Sequence, residues 1–125
     1  MAFVVNIEDE TLNNKNFRKV LYTSTNLHGM QLVVMNLKPE EEIGMEKHVS
    51  ADQFIRVEQG EAIAVIGKSK KDMYKLQASD AILIPAGTWH NIINANSKYN
   101  LKLYTLYTPP HHKDMLIQKN KPKMD

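Results

Sequence analysis

Residues 85–94 read PAGTWHNIIN, and the interpretation of the whole chain starts from this stretch. Pro85 and Gly87 favour a turn, because proline fixes its own backbone and lacks an N–H donor while glycine tolerates conformations that other residues avoid. Asn91–Ile93 is a short β-branched run of the kind found in strands. His90 therefore stands where a turn delivers an imidazole to the start of a predicted strand.

Residues 46–60 read EKHVSADQFIRVEQG and hold the polar side chains that could join His90 in one site. Glu46 and His48 are two positions apart, so they share one face if the chain is extended there. Gln53 begins the next predicted strand. Two imidazoles and a carboxylate form a nitrogen and oxygen donor set that suits a divalent metal such as Fe, Mn, Zn, Ni or Co.

Short apolar runs separated by turn residues recur at intervals of about 8–12 residues, the spacing typical of an all-β sandwich or barrel. The predicted strands are Val20–Tyr22, Gln31–Leu37, Gln53–Glu58, Ala62–Ile66, Ala81–Ile84, Asn91–Ile93 and Leu101–Thr108. No internal repeat or low-complexity block divides the chain. We therefore expect a single domain over residues 1–125, with a core over about 31–108 and a C-terminal tail over 109–125.

The two stretches resemble the two motifs of the cupin superfamily. In the first motif, Glu46 and His48 stand at the pair of ligand positions separated by one residue, and Gln53 stands where the family usually has Glu. Gly60 matches the glycine that closes this motif. The second motif matches more closely, through Pro85, Gly87, His90 and Asn94. The chain departs from the family pattern where Glu46 replaces a histidine, Gln53 replaces an acid, and Glu40 and Ser79 replace glycines.

This resemblance implies a cupin double-stranded β-helix, which is an antiparallel jelly-roll barrel. It also implies one divalent metal ion, with Zn, Fe, Mn and Ni as the candidates, held by Glu46, His48, Gln53 and His90. Because a carboxamide is a neutral and weaker oxygen ligand than a carboxylate, Gln53 leaves the affinity and the identity of the metal open.

Within the superfamily, residues 52–58, 88–91 and 103–112 resemble small single-domain cupins that are labelled mannose-6-phosphate isomerase-like. Three functions follow as alternatives. The first is a metalloenzyme acting on a sugar or an oxo acid, isomerase-like, with Glu46, His48 and His90 as catalytic residues. The second is an Fe-dependent dioxygenase. The third is a non-catalytic cupin that binds a small ligand or a metal. Relatives of this kind imply a small-molecule ligand and a homodimer.

Composition narrows the class of protein. The 125 residues carry a formal net charge of only +2, which does not favour nucleic acid as a partner. No apolar run approaches the length of a membrane span, so we expect no membrane partner. The chain opens without a basic leader and contains no cysteine, and both features favour a cytoplasmic protein without thiolate ligands.

His111 and His112 follow the proline pair at 109–110 and form an attractive second metal site. Adjacent residues on an extended chain point apart, however, and a proline pair ends a strand, so we exclude both histidines from the metal site. Tyr104 and Tyr107 fall on opposite faces of their predicted strand. At most one of these tyrosines can therefore point into the barrel.

Overall fold

A computed structural model describes residues 2–24, 26, 28–69 and 72–123. The elements found there are α1 (Ile7–Asn13), β1 (Arg18–Thr23), β2 (Gln31–Leu37), β3 (Asp52–Gln59), β4 (Glu61–Ile66), β5 (Asp72–Gln77), β6 (Ala81–Ile84), β7 (His90–Asn94), β8 (Leu101–Thr108) and β9 (Ile117–Gln118). The expected all-β jelly roll is confirmed. No helix of the described residues is long and apolar enough to cross a membrane.

The strands form two antiparallel sheets that share one core. The larger sheet has the order β6-β3-β8-β2-β1-β9 and the smaller has the order β5-β4-β7. Buried side chains from both sheets meet between them, among them Val33 and Leu103 of the larger sheet and Ala64 and Ile92 of the smaller one. The segment at 41–46 extends the smaller sheet along β7 through isolated bridges.

Strand β2 is buried at every position because both of its faces are covered. Its inner face packs into the core between the sheets, while its outer side chains Leu32 and Val34 join a second apolar cluster with Tyr104 and Ile7 of α1. The two tyrosines of β8 therefore separate as predicted. Tyr107 lies in the inner core and Tyr104 in the outer cluster.

Gly60 connects β3 to β4 in a backbone conformation that excludes a side chain. Its φ is +94°, in the left-handed region that favours glycine, and a Cβ at this position would lie 2.8 Å from the backbone oxygen of Asn100. This close approach explains why the first motif ends in glycine.

Three elements have no counterpart among the predicted strands. Strand β5 is exposed at five of its six positions, so it lacks the apolar alternation by which strands are recognised. Strand β9 lies within the tail at 109–125 and pairs Gln118 with Arg18 of β1. Helix α1 has only seven residues, and Asn6 caps it by accepting the N–H of Asp9.

Candidate metal centre

The backbone brings Glu46 and His90 directly opposite each other. The N–H of Glu46 donates to the carbonyl of His90 at 2.8 Å, and the N–H of His90 donates to the carbonyl of Glu46 at 2.9 Å. Such reciprocal bonding marks a directly facing antiparallel pair, which sets the two side chains side by side. His48 lies two residues beyond Glu46, and its ring centroid is 5.2 Å from that of His90.

These three residues, the ligand group, converge on one point. The Oε1 atom of Glu46 lies 3.2 Å from Nε2 of His48 and 3.6 Å from Nε2 of His90. One donor atom from each residue lies within 4.8 Å of the other two. Both histidines are buried, whereas the Glu46 side chain is 31% exposed, so the group is open to solvent on the carboxylate side.

The donor atoms of the ligand group are oriented for a cation. Nδ1 of His90 lies 2.9 Å from the carbonyl oxygen of Thr88, which can only accept, so Nδ1 carries the proton and Nε2 offers a lone pair. Nε2 of His48 and Nε2 of His90 are both buried and make no hydrogen bond of normal geometry to any described residue. A divalent metal would satisfy both atoms, so the residues present fit such an ion.

Gln53 lies on the inner face of β3, where it pairs with Tyr107 of β8. The residue is buried, and its Nε2 donates to Oγ1 of Thr105 at 3.0 Å. This bond fixes the orientation of the carboxamide and leaves Oε1 buried without a hydrogen-bond partner among the described residues. Its position as a fourth ligand remains a prediction.

The charge of Glu46 is stabilised by the two imidazoles. Burial by itself would raise the pKa of this carboxyl group. Hydrogen bonds and positive charge at His48 and His90, when Nε2 of each ring holds a proton in place of a metal, outweigh burial and hold the pKa well below the ordinary value of 4.5. Glu46 is therefore a carboxylate at neutral pH, which is the form that binds metal.

The histidine pair at 111–112 borders the ligand group, which the sequence interpretation missed. The ring centroid of His111 lies 4.1 Å from that of His48, and Nε2 of His112 lies 3.3 Å from the hydroxyl of Tyr107. Neither histidine belongs to the ligand group itself. The sequence interpretation left both histidines out of the metal site and did not foresee that they lie beside it.

Gln31 holds the histidine pair in this place. Its Oε1 accepts the backbone N–H groups of His111 at 3.1 Å and His112 at 2.8 Å. Its Nε2 donates to the carbonyl of His112 at 2.8 Å and to Oγ1 of Thr23 at 3.0 Å. Because Gln31 is fully buried on β2, the three bonds to His111 and His112 anchor the C-terminal segment to the barrel, and the bond to Thr23 holds the carboxamide in place.

The environment of His112 predicts a pH-dependent stability. Burial, with the charges of Arg18 and His111, lowers its pKa from 6.5 to about 3. As the pH falls below 6.5, the unfolded chain binds a proton at this histidine, whereas the folded protein binds it only near pH 3. The free energy of unfolding should therefore fall as the pH falls through this window. Urea unfolding of EDTA-treated protein at pH 7 and pH 5 measures the effect.

His112→Asn should reduce this pH dependence and leave the part that comes from His111, whose pKa burial also lowers, whereas His28→Asn, at an exposed histidine, should retain it in full. An equal loss of stability between pH 7 and pH 5 in all three proteins would show that His112 is not responsible.

The comparisons with known proteins agree with this architecture. Residues 33–107 match the family model described as "Cupin domain". Protein L612 of Acanthamoeba polyphaga mimivirus is 46% identical over 122 residues, which cover 98% of this chain and 74% of that protein. Protein YrkC of Bacillus subtilis (strain 168) is 44% identical over 113 residues, covering 88% of this chain but only 59% of YrkC. The crystal structure of BH2720 from Bacillus halodurans superposes with a TM-score of 0.90 at 41% identity, covering 97% of this chain and 91% of that chain.

Proposed function

The chain belongs to the cupin family, and from this premise we propose that it is a metalloenzyme acting on a small molecule such as a sugar or an oxo acid. Glu46, His48 and His90 would hold one divalent ion. The observation that carries the proposal is the convergence of two buried imidazoles and an ionised carboxylate, with donor atoms within 4.8 Å of one another.

Each residue of the site would have a separate role in binding the metal. A bound divalent ion would supply Lewis-acid polarisation of a substrate oxygen. The Thr88 carbonyl keeps His90 in the tautomer that binds metal, and Glu46 contributes the negative charge of the ligand group. Three protein donors leave coordination positions open, and the carboxylate side of the group is the side that solvent reaches.

Two kinds of chemistry are candidates. An isomerase-like reaction, as in the group labelled mannose-6-phosphate isomerase-like, needs a base that moves a proton between carbons. In the ligand group the only carboxylate is Glu46, which that reaction would have to use both as ligand and as base. The runner-up, an Fe-dependent dioxygenase, is supported by the donor set itself, because two histidines and one carboxylate are the ligands of non-haem Fe(II) oxygenases.

Metal analysis combined with activity assays tests the proposal. Protein purified without added metal is analysed for its elements, and then assayed for oxygen consumption and for isomerisation of sugars and oxo acids. We expect about one equivalent of metal and a turnover that His48→Ala abolishes and the matched control His28→Ala retains. Metal content that His48→Ala leaves unchanged would refute the site, and bound metal without turnover on any substrate would favour a non-catalytic binding protein.

Gln53→Glu tests the fourth ligand. If Oε1 of Gln53 faces the ion, a carboxylate in its place should raise the affinity for Mn²⁺ about tenfold, because it adds a charge at the same position. The Thr105 hydroxyl, which now accepts from Gln53, can rotate and donate to the new carboxylate. Gln53→Met removes the oxygen at similar volume and should lower the affinity. Isothermal titration with Mn²⁺ gives the constants, and three equal affinities would remove Gln53 from the ligands.

We also propose that the protein forms a homodimer through the β6 edge of the larger sheet. Leu83 on this edge strand is 72% exposed and lines a groove of about 430 Å³ together with Phe54 and Leu106. Leu83→Lys should convert the dimer to a monomer in sedimentation experiments, since a buried charge without a partner is costly. Ile117→Lys, at an exposed apolar residue of β9 on the opposite edge, should leave the dimer intact. A monomeric wild-type protein would refute the proposal.

A further inference from the structure

The ring of His48 lacks, among the described residues, a hydrogen bond at Nδ1 like the one that orients His90. In His90 the carbonyl of Thr88 fixes the ring. His48 lies between the bridge at Glu46 and strand β3, in a segment that belongs to no strand. Its backbone is held by the N–H of Gly87, which donates to the His48 carbonyl at 2.8 Å. The direction of its Nε2 therefore depends on the groups that pack against the ring.

Three rings of the described residues lie against the imidazole of His48. Tyr107 meets it edge-on, at an interplanar angle of 89° and a centroid distance of 5.3 Å, and His111 meets it at 65° and 4.1 Å. The third ring is that of His90, at 5.2 Å. Edge-to-face contact is an attractive arrangement of flat rings, so these neighbours favour one orientation of the His48 imidazole. The centroid of His111 is the nearest of the three.

The backbone of His111 is held in place without the help of its side chain. Its N–H donates to Oε1 of the buried Gln31 at 3.1 Å, and the same oxygen accepts the N–H of His112. Further along the segment, the carbonyl of Leu116 accepts the N–H of Val20 at 2.9 Å. The C-terminal segment is thus bonded to the larger sheet at two points, and it presents the exposed residue His111 to His48 from a fixed backbone position.

We propose that His111 is a positioning residue of the metal centre, which keeps Nε2 of His48 within the ligand group. This inference rests on the proposed function and adds to it a residue that lies outside both sequence motifs. His111 does not belong to the ligand group, so it acts on a bound ion only through the ring of His48. The C-terminal segment thereby becomes part of the site.

His111→Ala and His111→Phe distinguish positioning from ligation. Alanine removes the ring but keeps the backbone N–H that Gln31 accepts, whereas phenylalanine keeps a flat ring and removes both nitrogens. Because His111 is exposed, the larger ring of phenylalanine has room. At about pH 7.5 His111 is neutral, since burial lowers its pKa below the ordinary value of 6.5, so neither change alters the charge. Lys113→Ala, at an exposed residue of the same segment, is the matched control.

The readouts are the affinity for Co²⁺ and the visible absorption of the bound ion, which reports the geometry of its ligands. His111→Ala should weaken binding about tenfold and shift the absorption, because a ligand that must be ordered on binding binds less tightly. His111→Phe and Lys113→Ala should bind within about threefold of the wild type and keep its spectrum. The thermal midpoint of the metal-free protein should stay within about 5 °C of the wild type in all three variants.

Three other results would overturn the proposal. A loss of affinity in His111→Phe as large as in His111→Ala, or larger, would show that a nitrogen of His111 is required. An affinity of His111→Ala within about threefold of the wild type would show that the ring contact contributes nothing to metal binding. A fall of more than about 5 °C in the thermal midpoint of metal-free His111→Ala would make His111 a structural residue.

Failure of the wild type to bind cobalt would refute the proposed function, and NMR of the metal-free protein then tests His111 separately. The rings of His48 and Tyr107 lie 5.3 Å apart, so nuclear Overhauser effects should join their protons. Loss of signals in His48→Ala assigns the His48 ring. These effects should be strong in the wild type and in His111→Phe and weak in His111→Ala. Equal intensities in the three proteins would show that His111 does not hold the ring and would overturn the proposal.

Discussion

Replacing His90 by alanine is expected to lower the affinity of the protein for a divalent metal about 1,000-fold. Changes to residues that only orient a metal ligand cost about 10–100-fold, and the loss of a ligand itself should cost more. His90 is buried and its Nε2 lies 3.6 Å from Oε1 of Glu46, so alanine would remove one of the three donors of the ligand group. Competition with a chelating indicator for Zn²⁺ or Mn²⁺ gives the constant.

The matched control for this substitution is His28→Ala, at an exposed histidine outside the ligand group, which should bind metal like the wild type. Urea unfolding of the metal-free variants verifies that His90→Ala is folded. Affinity should also fall with decreasing pH in the wild type, because protons compete with metal for both imidazoles. A His90→Ala protein that binds metal within about threefold of the wild type would contradict the assignment of the site.

Replacing Asn94 by alanine is expected to destabilise the fold by about 4 kcal/mol, because the substitution leaves several buried polar groups without partners. Asn94 is fully buried at the end of β7. The two N–H groups of its Nδ2 face three carbonyl oxygens, those of Leu37 at 3.2 Å, Lys38 at 3.1 Å and Tyr99 at 2.9 Å, so one hydrogen is shared between two acceptors. Its Oδ1 accepts the N–H of Asn96 at 3.0 Å. One carboxamide thus ties two loops to the smaller sheet.

Asn94→Asp is the more specific test of these hydrogen bonds. A carboxylate keeps the acceptor for the N–H of Asn96, but its second oxygen would face three carbonyl oxygens in place of the amide N–H groups. It should destabilise at least as much as alanine does. Asn120→Ala, at an exposed asparagine, should change the free energy of unfolding by less than about 0.5 kcal/mol. Urea denaturation of metal-free protein measures all three, and a loss below about 1 kcal/mol for both Asn94 variants would show that these hydrogen bonds contribute little.

Metal binding does not explain why the second motif contains Asn94, but the hydrogen bonds of this residue do. All four of its hydrogen-bond contacts go to backbone groups of neighbouring loops and strands, and none of them involves the ligand group. The same motif therefore carries one residue for the site, His90, and one for the loops that frame it. A stability measurement separates the two roles, since only His90 variants should lose metal while staying folded.

The sequence by itself indicated an all-β barrel through its short, evenly spaced strands, and the resemblance of residues 46–60 and 85–94 to the two cupin motifs implied that Glu46, His48 and His90 converge in it. Strand alternation gave Glu46 and His48 a common side and separated Tyr107 from Tyr104, because successive residues of an extended chain point in opposite directions. Turn chemistry around Pro85 and Gly87 placed His90 at the start of β7. The inferences from alternation and from turn chemistry depend on neighbours within a few residues, which is the range over which backbone sterics and side-chain alternation act.

Only the tertiary structure decided what surrounds that site. Gln31 and His112 are 81 residues apart, and Arg18 and Gln118 are 100 residues apart, yet hydrogen bonds join both pairs. Such contacts arise because β2 and β1 lie side by side in the larger sheet and the C-terminal segment returns to them. No local pattern reveals which buried amide will meet a distant backbone, or which distant carboxamide a buried arginine will meet, because sheet packing and not strand propensity sets those distances.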